Sequence, residues 1–265
     1  MTVNVAIFGA GGRMGEALLK NHNAVEGVTV KAGVLKSGHS LIGEDASRLF
    51  GGANVDIPLV SHVSEVKDID VVIDFSRPEV TLALAHWCHQ NGIALVTGTT
   101  GFTPEQKAQL QGLTDKIAIV HSNNMSPGVN LCFDVVADVA RRLGDKVDVE
   151  IVEAHHKHKI DAPSGTALRL GEAVADAWGV DLASRAVYTR EGRTGEREQG
   201  TIGFATIRAG DIIGDHYVIF ASEGERIEIV HKSTSRMHYA KGGLLAAGWV
   251  TQQKPGFYSM SDVLK

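Results

Sequence analysis

The stretch "VNVAIFGAGGRMG" (3–15) decides how the rest of the chain is read. A short apolar run passes directly into a glycine-rich turn, and the turn passes into a helical pattern from about Gly12. A run of this kind suits a parallel strand buried on both faces. A glycine turn between strand and helix lets backbone N–H groups approach a pyrophosphate at the positive end of the helix. Strict G-x-G-x-x-G spacing is not met: Gly9 and Gly11 fit, the third position is Met14, and glycines stand at 12 and 15. The turn nevertheless opens the chain's first strand–helix–strand unit, which is the context a dinucleotide site requires. Gly9, Ala10, Gly11, Gly12, Arg13 and Met14 are therefore candidate cofactor residues. A tight turn without a ligand is the alternative.

Working outward, the first half alternates strand and helix. "VTVKAGVL" (28–35) and "DVVIDF" (70–75) read as strands. Pro78 opens a helical segment and Gly92 closes it, which is the usual chemistry of helix ends. "IALVTGTTG" (93–101) is strand then glycine turn, Thr103-Pro104 opens another helix, and "KIAIVHSNN" (116–124) is strand then polar loop. This rhythm predicts a parallel sheet covered by helices on both faces. In such a sheet the loops at the carboxyl ends of the strands line one crevice. Gly98, Thr99 and Thr100, with Ser122, Asn123, Asn124 and Met125, join the candidate cofactor residues on that ground. Ordinary turn chemistry is the rival reading.

The second half changes character. After a helical stretch at 130–144, strands are expected at 147–154, about 201–208, 215–222 and 226–232, with one clear helix among them. Short connections suggest a mixed sheet. The fold class expected is α/β: a Rossmann-like parallel-sheet domain (1–126 and 237–265) plus a second α+β domain (127–236) with a mixed four-stranded sheet. "SRAVYTREGRTGEREQG" (184–200) reads as a solvated, mobile loop. The tail "MHYAKGGLLAAGWVTQQ" reads as a helix returning to the first domain.

Composition narrows the class. The 265 residues are 43% hydrophobic with a formal net charge of −5. That balance argues against general nucleic-acid binding. No apolar run is long enough to span a membrane. Met1 leads straight into the first strand without a basic n-region, so no signal peptide is expected. Cys88 and Cys132 make no disulfide framework. A cytoplasmic location is the expectation.

Against the acidic background stands "EAHHKHKIDAPSGTA" (153–167), between an alternating strand pattern and a helical one. Ser164, Gly165 and Thr166 sit where that helix begins, with free N–H groups and hydroxyls suited to a carboxylate or phosphate. His155, His156, Lys157, His158 and Lys159 lie just upstream. In an extended segment 155, 157 and 159 would share one face, and 156 and 158 the other. A small substrate with two carboxylates would account for both elements. Metal ligation by His155, His156, His158 and Asp161 is the rival, and the two lysines oppose it. A solvated basic loop is the plain alternative. A dinucleotide domain plus an anion-binding domain with acid/base candidates reads as a hydride-transfer enzyme.

The chain also closely resembles the bacterial dihydrodipicolinate reductase (4-hydroxy-tetrahydrodipicolinate reductase) family. The resemblance rests on "GAGGRMG" (9–15), "DFSRPE" (74–79), "GTTGF" (98–102), "EAHHKHKIDAPSGTA" (153–167), "GTIGFATIRAGDIIGDH" (200–216) and "HKSTSRM" (231–237). It implies reduction of a cyclic unsaturated dicarboxylate by NADPH or NADH in diaminopimelate and lysine biosynthesis, by a homotetramer. It implies His155 as the acid/base residue, Lys159 as the proton donor, and His156, Gly165 and Thr166 as substrate-binding residues, with no metal. Residues 9–14, 98–100 and 122–125 would bind cofactor. In mechanism, the basic cluster and helix start would hold the substrate against the nicotinamide, and Lys159 or His155 would supply the proton.

One departure bears on cofactor choice. Better-known bacterial members carry Glu then Arg at the end of the second strand, and here the matching positions are Leu35 and Lys36. The ribose-binding carboxylate is missing and a cation remains. Lys36, aided by Arg13, is expected to make NADPH the preferred cofactor over NADH. Three other classes share parts of this pattern: a redox-sensing NADPH-binding regulator, a zinc hydrolase, and a semialdehyde dehydrogenase sharing the first domain alone.

Overall fold

The computed structural model describes residues 2–235 and 237–265. In chain order the elements are β1 (Val3–Phe8), α1 (Arg13–Lys20), β2 (Val28–Val34), α2 (Ser47–Phe50), β3 (Leu59–Val60), β4 (Val71–Asp74), α3 (Pro78–Asn91), β5 (Ala94–Thr97), α4 (Pro104–Gly112) and β6 (Ala118–His121). Then come α5 (Pro127–Leu143), β7 (Asp148–His155), α6 (Gly165–Trp178), β8 (Ala186–Val187), β9 (Ile202–Arg208), β10 (Gly214–Ser222) and β11 (Glu225–Ser233). The chain closes with α7 (Met237–Val250), β12 (Gly256–Tyr258) and α8 (Met260–Val263). It divides into two compact units, Met1–Pro127 with Met237–Lys265, and Gly128–Arg236.

The first unit holds a seven-stranded sheet in the order β12-β6-β5-β4-β1-β2-β3, with every pairing parallel. Alternate residues of the central strands feed two cores. Val5, Ile7, Val71, Ile73 and Val96 pack with Leu18 of α1 and with Leu244 and Ala247 of α7. Ala6, Val72, Leu95 and Ile119 pack with Leu84 and Ala85 of α3 and Leu110 of α4. Burying a branched aliphatic side chain contributes about 1.5–3 kcal/mol, which is why runs such as "VVID" stay in the middle of the sheet. The helix ends follow the local chemistry of the sequence. Thr103 and Gln106 form a reciprocal capping box, and Gly92 ends α3 in the left-handed region at φ 68°. From β1 the chain moves outward to β2 and β3, then returns to β4 on the other side of β1. The strand order therefore reverses between β1 and β4, the place where such sheets take ligands.

The second unit holds a five-stranded mixed sheet in the order β11-β10-β7-β9-β8. This corrects the four strands expected. The added strand, β8, lies inside the charged segment 184–200 and pairs parallel with β9 through Ala186 and Val187. Two residues are too few to show a period. The same segment is tied to the sheet rather than solvated throughout. Arg197 donates to the carbonyls of Val149 (2.9 Å) and Thr201 (2.7 Å) and pairs with Asp148 and Glu150, and Arg190 pairs with Glu150 at 2.8 Å. One sheet face is apolar, with Val149, Ile151, Ile202, Phe204, Val218 and Phe220 packed against residues of α5 and α6.

Candidate active site

The site in the second unit forms where that apolar face runs out. Strand side chains alternate, so Glu153 and His155 continue the line of Val149 and Ile151 along β7. In register beside them lie Thr206 and Arg208 of β9 and His216 of β10. Two layers of aliphatic packing thus give way to a polar layer at the start of α6.

Glu153 is the centre of this layer and is 1% exposed. Arg208 donates to both of its oxygens at 2.8 Å, the Ser164 backbone N–H donates at 3.0 Å, and the Thr206 hydroxyl lies at 3.3 Å. His155 Nδ1 is 2.6 Å from Glu153 Oε2. Burial pushes the carboxyl pKa up, but the Arg208 guanidinium, His155 and the Ser164 N–H outweigh it, and the net shift is downward. The group is a carboxylate that only accepts hydrogen bonds. Arg208 also donates to the Asp161 carbonyl at 2.6 Å, tying the buried charge to the loop that follows β7.

His155 ends β7. Burial lowers its pKa, contact with Glu153 works against that, and the Lys159 and Arg208 charges reinforce it; the net direction is down. A Cβ placed on Gly214 would stand 3.0 Å from His155 Nε2, so the glycine leaves that nitrogen room. The His216 ring meets His155 edge-on at 5.2 Å between centroids. Ser164 Oγ accepts from the Ala167 N–H as the cap of α6 and lies 3.1 Å from His216 Nε2. Its own proton is thus free to go to His216. Burial, followed by the His155 charge, holds the His216 pKa down to about 3.

β7 stops at His155, so the alternation expected for 155, 157 and 159 does not hold. The chain turns instead, with Lys159 N–H donating to the His156 carbonyl at 3.1 Å and Lys157 N–H to the Gly210 carbonyl. The Lys159 ammonium reaches Asp161 at 2.8 Å. His156 is half-buried and Lys157 and His158 are exposed. Gly165 and Thr166 form the first turn of α6. A Cβ on Gly165 would meet nothing within 4 Å, which leaves open space over the helix start. Among the described residues no group of three or more His, Cys, Asp or Glu is placed to hold a metal ion.

In the first unit the three expected loops follow β1, β5 and β6 at the carboxyl end of the parallel sheet. Gly9 takes a positive φ of 69°. The steric work of the pattern's missing glycine falls to Gly15, where a Cβ would press into the Gly9 carbonyl and the Ala10 backbone. Gly12 caps α1, and Gly11, Gly12 and Arg13 are exposed. These features fit a pyrophosphate held by main-chain N–H groups at the start of α1. Not every candidate offers its side chain. Ala10 and Met125 are core residues, and Thr99 is 2% exposed. The Thr99 hydroxyl is 3.2 Å from buried Asp74 and 2.9 Å from Thr81, which itself lies 2.5 Å from Asp74. That cluster pins the 98–101 loop and turns the Thr99 hydroxyl inward, while the Thr99 N–H donates to Thr97 Oγ1 at 3.2 Å. Gly98 is required because a Cβ there would enter the Phe75 ring. Thr100 and Asn123 are exposed, and Gly98, Met14, Ser122 and Asn124 are half-buried. Lys36 is exposed just after β2, and beside it Gly11 approaches Leu35 and His39: a Cβ there would stand 3.1 and 3.8 Å from them.

Glu153, Arg208 and His216 were not among the residues singled out from sequence. A local signal existed for the first: Glu153 and His155 are two apart on a strand and must share a face. Arg208 and His216 become neighbours only through strand pairing 53 and 63 residues away. Arg236, in the motif at 231–237, lies outside the described residues.

A Rossmann-like sheet with its glycine turn, joined in sequence to a unit carrying a histidine–carboxylate pair and a basic turn, defines an NAD(P)-dependent oxidoreductase. Residues 3–125 match the family profile "Dihydrodipicolinate reductase, N-terminus" and residues 128–264 match "Dihydrodipicolinate reductase, C-terminus". The chain belongs to the dihydrodipicolinate reductase family and is a reductase of diaminopimelate and lysine biosynthesis. Among solved structures it is similar to a dipicolinate-bound dihydrodipicolinate reductase from Paenisporosarcina sp. TG-14, with a TM-score of 0.77, 24% identity and 98% of both chains covered. An amine dehydrogenase from Mycobacterium smegmatis shares the fold at a TM-score of 0.61 and 12% identity, over 98% of this chain and 95% of that one. A DAP dehydrogenase from C. glutamicum does so at 0.55 and 13%, over 100% and 96%. No helix among the described residues is long and apolar enough to cross a membrane.

Proposed function

We propose that the second unit binds 4-hydroxy-tetrahydrodipicolinate, and that His155, His156, Lys159, Gly165 and Thr166 handle it. The observation that carries this reading is the pairing of a cationic turn with an open helix start at the same sheet end. Two carboxylates need two anion sites: Gly165 and Thr166, at the N-terminal start of α6, supply one, and Lys159 and His156 supply the other. The dipicolinate held by the Paenisporosarcina enzyme is a dicarboxylate of the same kind. The bound nicotinamide supplies the hydride. Lys159 delivers the accompanying proton from its ammonium, and Asp161 at 2.8 Å orients it until substrate arrives. One hydride and one proton enter and one water leaves, which balances the reduction.

The first unit acts as the dinucleotide domain, through residues 9–14, 98–100 and 122–125. NADPH is preferred over NADH, and the contact with its 2′-phosphate comes from Lys36, with Arg13 adding charge. The second unit also carries self-association into a homotetramer in the cytoplasm. Its sheet face away from α5 and α6 supports this, since Ile207 and Val230 on it are 47% and 43% exposed. The deciding experiment follows nicotinamide absorbance in protein mixed with NADPH and freshly made substrate. Substrate-dependent loss of absorbance is expected, and its absence would end the reductase reading at this site.

A further inference from the structure

We propose that Glu153, clamped by Arg208, is a positioning residue that holds His155 in the tautomer with Nε2 unprotonated, so that His155 meets the substrate as an acceptor. This rests on the reading of His155 and Lys159 given above and assigns them different jobs.

The argument is one of hydrogen-bond inventory. Glu153 is buried at 1% exposure and receives two Arg208 N–H groups at 2.8 Å, the Ser164 N–H at 3.0 Å and the Thr206 hydroxyl at 3.3 Å. A carboxylate in that setting has no proton to give, so at 2.6 Å the proton must lie on His155 Nδ1. A neutral imidazole carries one N–H, and Nε2 is left with its lone pair. Gly214 keeps that nitrogen uncovered, since any Cβ there would stand 3.0 Å away. His216 cannot reverse the arrangement, because its Nε2 is engaged by Ser164 Oγ at 3.1 Å.

Four titratable or charged groups face His155: Glu153 on β7 itself, Lys159 from the following turn, Arg208 from β9 and the neutral His216 from β10. The anion favours the imidazolium, and the cations and burial oppose it, with the opposition prevailing. A neutral His155 with Nδ1–H accepts a hydrogen bond or a proton at Nε2 and offers none. Lys159 is then the group with a proton to deliver. The Arg208 fork serves to keep Glu153 ionised and aimed.

The test is the ring nitrogen signals of histidine-labelled protein, with His155 assigned by its loss in His155→Gln. Wild type is expected to show Nδ1–H with unprotonated Nε2 at neutral pH. In Glu153→Gln, Arg208 claims the amide oxygen and the NH2 group turns to His155, so the Nε2–H tautomer should appear. Turnover should fall roughly 10²-fold with KM little changed. The acid limb of the pH–rate profile should move to lower pH, because the imidazolium has lost its carboxylate. Glu153→Asp should recover part of the rate and return the limb toward its wild-type position. Wild-type His155 found as Nε2–H would overturn the proposal, even if Glu153→Gln fails to fold. So would undiminished turnover in Glu153→Gln, or a rate loss with an unmoved limb and no rescue by Asp. A wild type with the expected tautomer but no substrate-dependent NADPH loss would instead sink the functional reading, leaving the tautomer assignment standing.

Discussion

The glycine turn after β1 and the polar end of β7 are both places where a strand stops and a helix begins, yet they are made from opposite materials. The first is nearly all backbone. Gly9, Gly11, Gly12 and Gly15 matter for the atoms they lack, and neighbouring Thr99 and Met125 have their side chains turned to the interior. The second is mainly side chain: a buried carboxylate, a guanidinium and two imidazoles brought together by strand register, with the serine hydroxyl that caps α6. A backbone site fails when something is added. A side-chain site fails when a charge or proton is removed. The difference follows from the ligands each suits: a pyrophosphate needs close approach of N–H groups, and proton transfer needs groups whose ionisation is tuned.

Four changes probe that contrast, from the largest expected effect to the smallest. Lys159→Ala removes the proposed proton donor from the side-chain site and should cost about 10²–10⁴-fold in kcat. Its partner Asp161 is exposed, so the melting temperature should hardly move. Near-normal kcat would strike Lys159 from the mechanism. Gly15→Ala adds one methyl to the backbone site, against the Gly9 carbonyl. Overpacking of this kind costs about 1–3 kcal/mol, seen as lower stability and weaker cofactor binding. Equal stability and cofactor affinity in the variant would show that the turn is not sterically set.

The third change concerns acid sensitivity. His216 stays neutral in the fold down to about pH 3, whereas an unfolded histidine protonates near pH 6.5. Between those values the unfolded chain holds the extra proton. Stability therefore falls as pH falls, by about 1.4 kcal/mol per pH unit from this group. His216→Gln keeps an acceptor for Ser164 and should flatten the decline between pH 6.5 and 5 in denaturant titrations. His155 is shifted the same way and adds a slope of the same sign. An unchanged slope would mean His216 is solvated in solution. The smallest effect belongs to Lys36→Ala, which should weaken NADPH about tenfold, the worth of one charge-assisted contact, and leave NADH unaltered. Equal wild-type affinities for the two cofactors would remove the preference.

Much of the first unit was legible residue by residue. The apolar run 3–8, the Pro78 and Gly92 boundaries and the Thr103-Pro104 helix start are local signals, and the elements stand where those signals put them. Strands β3, β8 and β12 were not legible, because two or three residues carry no period and gain their identity from the neighbour they pair with. In the basic stretch 153–167 the sequence reading located the chemistry but misjudged its geometry. An extended course beyond the strand would alternate 155, 157 and 159 on one face, whereas β7 ends at His155 and the chain turns, with Arg208 donating to the Asp161 carbonyl.

By itself, the sequence determined the parallel sheet, the glycine turn, the helix start at Ser164 and the concentration of acid/base groups beside it. These depend on the periodicity and conformational preference of near neighbours, which are present in any short window of chain. Only the tertiary structure decided that Glu153 is buried, that Arg208 neutralises it, and that His155 and His216 are held neutral. Register between β7, β9 and β10 brings together groups 53 to 63 residues apart, and burial then sets their charge, because removing water is what makes each missing or present partner count.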